Sequence, residues 1–245
     1  MPPHIIVLVG GIANGKSELA AAMAAELRRR GRRVCVALEP VDLWRRTGIL
    51  EAFYADIPRY AYAFQTFVTV TRVDAILAAL AGCPDPDVLI LDGAPPSDSV
   101  FMAMLSGDLS PAERAMYEVW RDGWVRLLPF DLADATALYL RTSMAESMRR
   151  LSARGRAEEV SPCSRDEDLQ AVPAAGGVTL EYQEKLRRAF DAFLVGGPAG
   201  EFPTLRPHRF RRVEVVGPAL ADADYRAGAP AAGAVVNEIL RQVYI

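Results

Sequence analysis

Histidine and cysteine are scarce in this chain, with 2 and 3 among 245 residues. The cysteines, Cys35, Cys83 and Cys163, have neither disulfide nor metal-ligand spacing, so they read as core or loop thiols in a reducing compartment. Positive charge is not in excess: the net charge is −3, which leaves no electrostatic case for nucleic-acid binding. No apolar run approaches the length that spans a bilayer. No cationic segment with an apolar stretch behind it precedes the first strand-like run. These gaps point to a soluble, cytoplasmic protein with no membrane or nucleic-acid partner. About half of the residues, 51%, are apolar, enough for a sizeable core. The length suits one α/β domain over residues 1–245, with no internal repeat.

What is present begins at residue 10. Gly10-Gly11-Ile12-Ala13-Asn14-Gly15-Lys16-Ser17 matches G-x-x-x-x-G-K-[ST] in full. The apolar run 4–9 ahead of it reads as a buried strand, and 17–30 behind it as a helix. Gly10 and Gly15 permit backbone conformations that a Cβ opposes. Successive N–H groups, those of Gly11, Ala13 and Asn14 included, can then hold phosphate oxygens at the positive end of the helix. Lys16 is placed to reach the β- and γ-phosphates, and Ser17 to ligate Mg²⁺. The motif predicts binding of ATP or another nucleoside triphosphate.

Further strands are predicted at 34–38, 88–92, 137–141 and 213–216. Their C-terminal ends carry acids at Glu39 and Asp92, the edge where ligands bind in open α/β sheets. Glu39 is placed to accept a proton from a substrate hydroxyl, or else is only a helix-entry acid before Pro40. Asp92 is a candidate Mg²⁺ ligand. A helix from Pro58 to about Ala81 carries Gln65 and Arg72 seven apart on one face, able to read a flat polar ring or simply to be solvated. Residues 93–98 read as a turn, with a helix from about Asp98 to Leu105. Arg150 and Arg154 share a helical face, with Arg156 beyond Gly155, as a segment that closes over phosphates or as a solvated helix end. Residues 160–178 form a long loop rich in Pro, Gly, Ser and Asp. A helix resumes at Leu180, and 235–243 closes the chain.

Together these motifs resemble the deoxynucleoside kinase family, which includes deoxycytidine, deoxyguanosine and mitochondrial thymidine kinases. The resemblance runs from the phosphate loop to the Leu180-Glu181-Tyr182 helix. It implies a P-loop kinase fold: a central parallel sheet flanked by helices, with an arginine-containing lid at about 150–180. Glu39-Pro40-Val41 with Trp44 is similar to the family's Glu-Pro-Val-x-x-Trp, which implies Glu39 as general base and Trp44 near the base or sugar. Tyr54 stands where the family bonds the 3′-hydroxyl. Phe64-Gln65-Thr66 is similar to Phe-Gln-Thr, which implies paired hydrogen bonds from Gln65 to the base. Arg154-Gly155-Arg156-Ala157-Glu158-Glu159 is similar to the Arg-x-Arg-x-Glu-Glu lid. Its arginines clamp phosphates, joined by Arg150, and Glu159 helps to hold the sugar. An arginine at 72 paired with an aspartate at 98 implies deoxycytidine or a purine deoxynucleoside over thymidine. The resemblance also implies a homodimer.

One departure is plain. The family's acid-Arg-Ser after the third strand reads Asp92-Gly93-Ala94 here, which removes an oriented cation worth roughly 10²–10³ in kcat. Arg45, beside Trp44, is the candidate substitute. Two rivals to the deoxynucleoside kinase stay open: a nucleoside monophosphate kinase of the thymidylate type, and a nucleotide-binding homologue that has lost catalysis.

Overall fold

The computed structural model describes residues 2–156, 177–196, 200–206, 208–226, 229 and 231–243. The order is β1 (His4–Val9), α1 (Lys16–Arg29), β2 (Val34–Ala37), α2 (Val41–Arg46), α3 (Ile49–Ala55) and α4 (Ile57–Ala81). Then come β3 (Val88–Asp92), α5 (Pro95–Met104), α6 (Pro111–Val125), β4 (Thr136–Leu140) and α7 (Met144–Arg154). The last are α8 (Leu180–Leu194), β5 (Arg212–Val216), α9 (Pro218–Ala221) and α10 (Ala232–Val243).

The strands form one sheet in the order β2-β3-β1-β4-β5, and every pairing is parallel. A parallel sheet is covered on both faces, so its strands are continuous apolar runs. In β1 the alternation is direct. Ile5, Val7 and Val9 face a core shared with Val73 and Ile76 of α4, Val100 of α5 and Phe190 of α8. Ile6 and Leu8 face Leu19 and Met23 of α1 and Ile239 and Leu240 of α10. Each such side chain stabilises the fold by about 1.5–3 kcal/mol. A third cluster, with Trp44, Phe53, Phe64, Met102 and Tyr117, lies among α2 to α6, beyond the C-terminal ends of the strands.

Two expectations need correcting, and one short helix is added. The helix after β3 starts at Pro95, not Asp98. Prolines at its first two positions lack N–H groups that would have had no helical partner anyway, so Pro95-Pro96 opens a helix and does not prolong a turn. Ser97 then donates to the Ala94 carbonyl at 2.7 Å. A short helix, α2, also follows Pro40 directly. Finally, α4 is by length and composition apolar enough to cross a membrane. Here it is a core helix: Ala61, Phe64, Val68, Val73 and Ile76 are buried, together with the polar Gln65 and Arg72.

Candidate functional site

One cleft of about 500 Å³ lies across the C-terminal ends of the strands, a size that suits a small-molecule ligand. Gly10 and residues 12–17 of the phosphate loop line one part. Glu39, Trp44, Tyr54, Phe64, Gln65, Arg72 and Asp98 line another, and Arg150, Arg154 and Arg156 a third.

The loop is held from several sides. Gly10 has φ +147°, and a Cβ there would stand 2.7 Å from the Leu140 carbonyl oxygen. Gly15 has φ +87°. Asn14 donates its side-chain amide to the Leu140 carbonyl at 2.8 Å. Thr142 donates to the Asn14 carbonyl at 3.0 Å, and Gln183 to that of Ile12 at 2.7 Å. Lys16 Nζ donates to the Gly10 and Gly11 carbonyls at 3.2 and 3.0 Å. Ser17 Oγ donates to Asp92 Oδ2 at 2.5 Å. The second oxygen, Asp92 Oδ1, is buried without a hydrogen-bond partner among the described residues. Burial, then the charge of Glu39, push the Asp92 carboxyl up to about 6.

Across the cleft, Arg72 is the hub. It extends from α4, with 6% of its side chain exposed. Nη1 pairs with Glu39 Oε1 at 2.9 Å and donates to the Asp92 carbonyl at 3.1 Å. Nη2 pairs with Asp98 Oδ1 at 3.1 Å. Burial works to raise the Glu39 carboxyl, but the Arg72 guanidinium, then Lys16 and Arg156, outweigh it and hold it below the usual range. Asp98 is 1% exposed. Burial pushes its carboxyl up to about 7 against the pull of Arg72. Arg72 Nε and Asp98 Oδ2 are buried without partners among the described residues.

An aromatic floor supports this end. Trp44 Nε1 donates to Thr71 Oγ1 at 2.8 Å, and its ring meets Phe64 edge-on at 5.9 Å. Phe53 stacks on Phe64 at 4.5 Å. The face shared by Gln65 and Arg72 is therefore a cleft wall, and both side chains are buried.

Two expectations change at the arginines. Arg45 is exposed on α2 and is not among the cleft-lining residues, so it does not replace a side chain at 93. Arg150 is committed to structure: Nη1 donates to the Asn14 carbonyl at 3.0 Å, Nη2 to those of Ala221 and Ala223 at 3.2 and 2.8 Å, and Nε pairs with Glu146. It ties the phosphate loop to the chain after α9. Arg154 and Arg156 line the cleft, whereas Glu159 and Cys163 lie outside the described residues. The sequence reading missed Arg149, Asp224, Tyr225 and Arg226, which also line the cleft. Residues 224–226 sit in a small-residue loop with no local pattern to mark them.

A family model described as deoxynucleoside kinase matches residues 6–166. Deoxycytidine kinase 2 of Gallus gallus is 28% identical over 214 residues, 77% of this chain and 73% of that protein. Deoxycytidine kinase of Bos taurus is 27% identical over 153 residues, and that of Rattus norvegicus 26% over 153 residues. Each of these two matches covers 60% of this chain and 53% of the relative, so the chain spans about half the length of these mammalian proteins.

Proposed function

This chain belongs to the deoxynucleoside kinase family, and we propose that it transfers the γ-phosphoryl group of ATP to the 5′-hydroxyl of a deoxynucleoside. We read residues 1–245 as one kinase domain, with a lid at about 150–180. The observation that carries the reading is a single cleft with the phosphate loop at one side and Glu39, Gln65, Arg72 and Asp98 at the other.

Each residue's part follows from its chemistry. The loop amides and Lys16 hold the phosphates, once Lys16 exchanges the Gly10 and Gly11 carbonyls for phosphate oxygens. Glu39, kept ionised by its cationic neighbours, accepts the proton of the 5′-hydroxyl. Tyr54 and Glu159 hold the sugar, while Trp44, Phe64 and Gln65 hold the base. Arg154 and Arg156 stabilise charge on the transferring group, and Arg150 keeps the loop in place. Catalysis of this kind is positioning and charge neutralisation.

Ser17 Oγ and the orphaned Asp92 Oδ1 fit Mg²⁺, a hard cation that takes one or two protein oxygens and leaves the rest to water and phosphate. When bound, the ion neutralises phosphate charge.

The preferred base is cytosine or a purine over thymine. Arg72 Nε is an unused donor and Asp98 Oδ2 an unused acceptor, and both residues line the cleft. An exocyclic amino group beside a ring acceptor complements that pair. The reading includes a homodimer. On α6, Met116, Val119 and Trp120 lie along one stripe and stay 50%, 73% and 49% exposed.

The test is phosphoryl transfer from ATP-Mg²⁺ to deoxycytidine, deoxyadenosine, deoxyguanosine, thymidine and thymidylate, with Glu39→Gln as control. Turnover on a non-thymidine nucleoside that Glu39→Gln abolishes supports the reading. Turnover on thymidylate alone makes the chain a monophosphate kinase. Binding without turnover on any acceptor makes it a non-catalytic homologue.

A further inference from the structure

We propose that Arg72 has a second duty as the positioning residue of Glu39, and that Gly93 is glycine because the Arg72 guanidinium fills the space its side chain would take. The inference rests on the kinase reading above and assigns to it a residue that couples base recognition to chemistry.

The geometry is specific. A Cβ on Gly93 would stand 2.2 Å from Arg72 Nη1 and 3.2 Å from Glu39 Oε1. No real Cβ tolerates the first distance, and Arg72 has no slack to yield. Its Nη1 is fixed by Glu39 and the Asp92 carbonyl, its Nη2 by Asp98, and the side chain is buried. Gly93 also has φ +78°, where any Cβ is strained. The amide of Gly93 donates to the Leu8 carbonyl at 3.0 Å, so its backbone is pinned to β1 and cannot swing away.

The charges facing Glu39 show what Arg72 is for. Lys16 comes from the phosphate loop and Arg156 from beyond α7, while Asp92 at the end of β3 and Asp98 on α5 are acids. Arg72 makes an ion pair with Glu39 at contact distance, 2.9 Å. Lys16 and Arg156 both face phosphates in the kinase reading, so neither is reserved for Glu39. A planar guanidinium held on its far edge by Asp98 fixes both the place and the orientation of the base that takes the 5′-hydroxyl proton. A base that engages Asp98 or Arg72 therefore also sets the geometry of Glu39. This predicts that Arg72 acts on kcat for every accepted deoxynucleoside, beyond any effect on base affinity.

The experiment compares wild type, Gly93→Ala, Arg72→Met/Asp98→Asn and the triple variant. The paired change removes both halves of the Arg72–Asp98 ion pair and leaves Glu39 with Lys16 and Arg156 as its cations. Measured are kcat and KM on each accepted deoxynucleoside, nucleoside affinity by calorimetry, and thermal unfolding. Gly93→Ala is expected to lower kcat about 10- to 100-fold on every accepted base, whatever it does to nucleoside affinity through the displaced Arg72. Added to Arg72→Met/Asp98→Asn, it should change kcat less than about threefold, because the guanidinium it would displace is gone. Its loss of thermal stability should also be larger in the wild-type background. The φ strain is common to both backgrounds and cancels in that difference. A loss confined to one base, or to KM, overturns the positioning role and leaves Arg72 a base-recognition residue. Equal thermal and kinetic losses in both backgrounds overturn the collision. No turnover by the wild type on any deoxynucleoside overturns the kinase reading itself, and with it the positioning role. The thermal comparison still decides the collision.

Discussion

The Ser17 hydroxyl donates to Asp92 Oδ2 at 2.5 Å and so joins the first turn of α1 to the last residue of β3, 75 positions away in sequence. The contact exists because β1 and β3 are parallel neighbours with Leu8 in register with Asp92. The strand that feeds the phosphate loop and the strand that ends in the acid therefore deliver both oxygens to one place. Asp92→Asn should raise the Mg²⁺ concentration needed for half-maximal phosphoryl transfer about tenfold or more, with nucleoside affinity little changed. A Mg²⁺ titration of the rate would read this. An unchanged midpoint would remove Asp92 from the ion's site.

Trp44 tests the aromatic floor. Its Nε1 has Thr71 Oγ1 as partner in a buried setting, and Thr71 also donates to the Phe67 carbonyl at 2.7 Å. Thr71→Val keeps the shape and orphans the indole N–H. An unpaired buried donor costs about 1–3 kcal/mol, so urea unfolding should shift by that amount. The nucleoside KM should rise, because Trp44 and Phe64 line the cleft together. Unchanged stability would mean that the indole finds another acceptor.

Much of this was legible in the chain, for identifiable reasons. The phosphate loop is one contiguous stretch whose lysine and serine have fixed offsets, and Glu39 and Asp92 each end an apolar run. The spacing of Gln65 and Arg72 placed them on one face of a long helix. That Arg72 reaches Glu39 was not legible, because it depends on β2, β3 and α4 meeting at one point and on the absence of a Cβ at 93. The Pro95-Pro96 helix start was misread because two prolines serve a turn and a first helical turn equally well. Arg150 was assigned to phosphates on its helical face alone. Its carbonyl partners at 221 and 223 come from the other end of the chain, which no local pattern reveals.

The exposed stripe of α6 makes the homodimer testable. Val119→Asp places a charge at its most exposed apolar position, 73% exposed, without touching the core. Light scattering should show a dimer for the wild type and a monomer for the variant, with monomer stability within about 0.5 kcal/mol of its starting value. A wild type that is monomeric across micromolar concentrations would overturn the dimer.

Asp98 sets a pH dependence of stability in the ligand-free protein. Its carboxyl has an ordinary value of 3.8 and is pushed up to about 7 in the fold, first by burial. Between those values the folded protein holds a proton that the unfolded chain has lost, so stability falls as pH rises from about 4 to about 7. The slope is at most about 1.4 kcal/mol per pH unit. Asp92 adds the same sign up to about 6. Glu39, held low by Arg72, has the opposite sign and acts only as pH falls below 4.5. His4 and His208, lowered chiefly by burial, also oppose the trend below about 6.5. All four groups remain in both wild type and Asp98→Asn, so the difference between the two proteins isolates Asp98. Melting temperatures from pH 5 to 8 should therefore show Asp98→Asn gaining on the wild type as pH rises, with the gain levelling off above about pH 7. Parallel curves would mean that Asp98 is ionised throughout, held by Arg72 more strongly than burial opposes it.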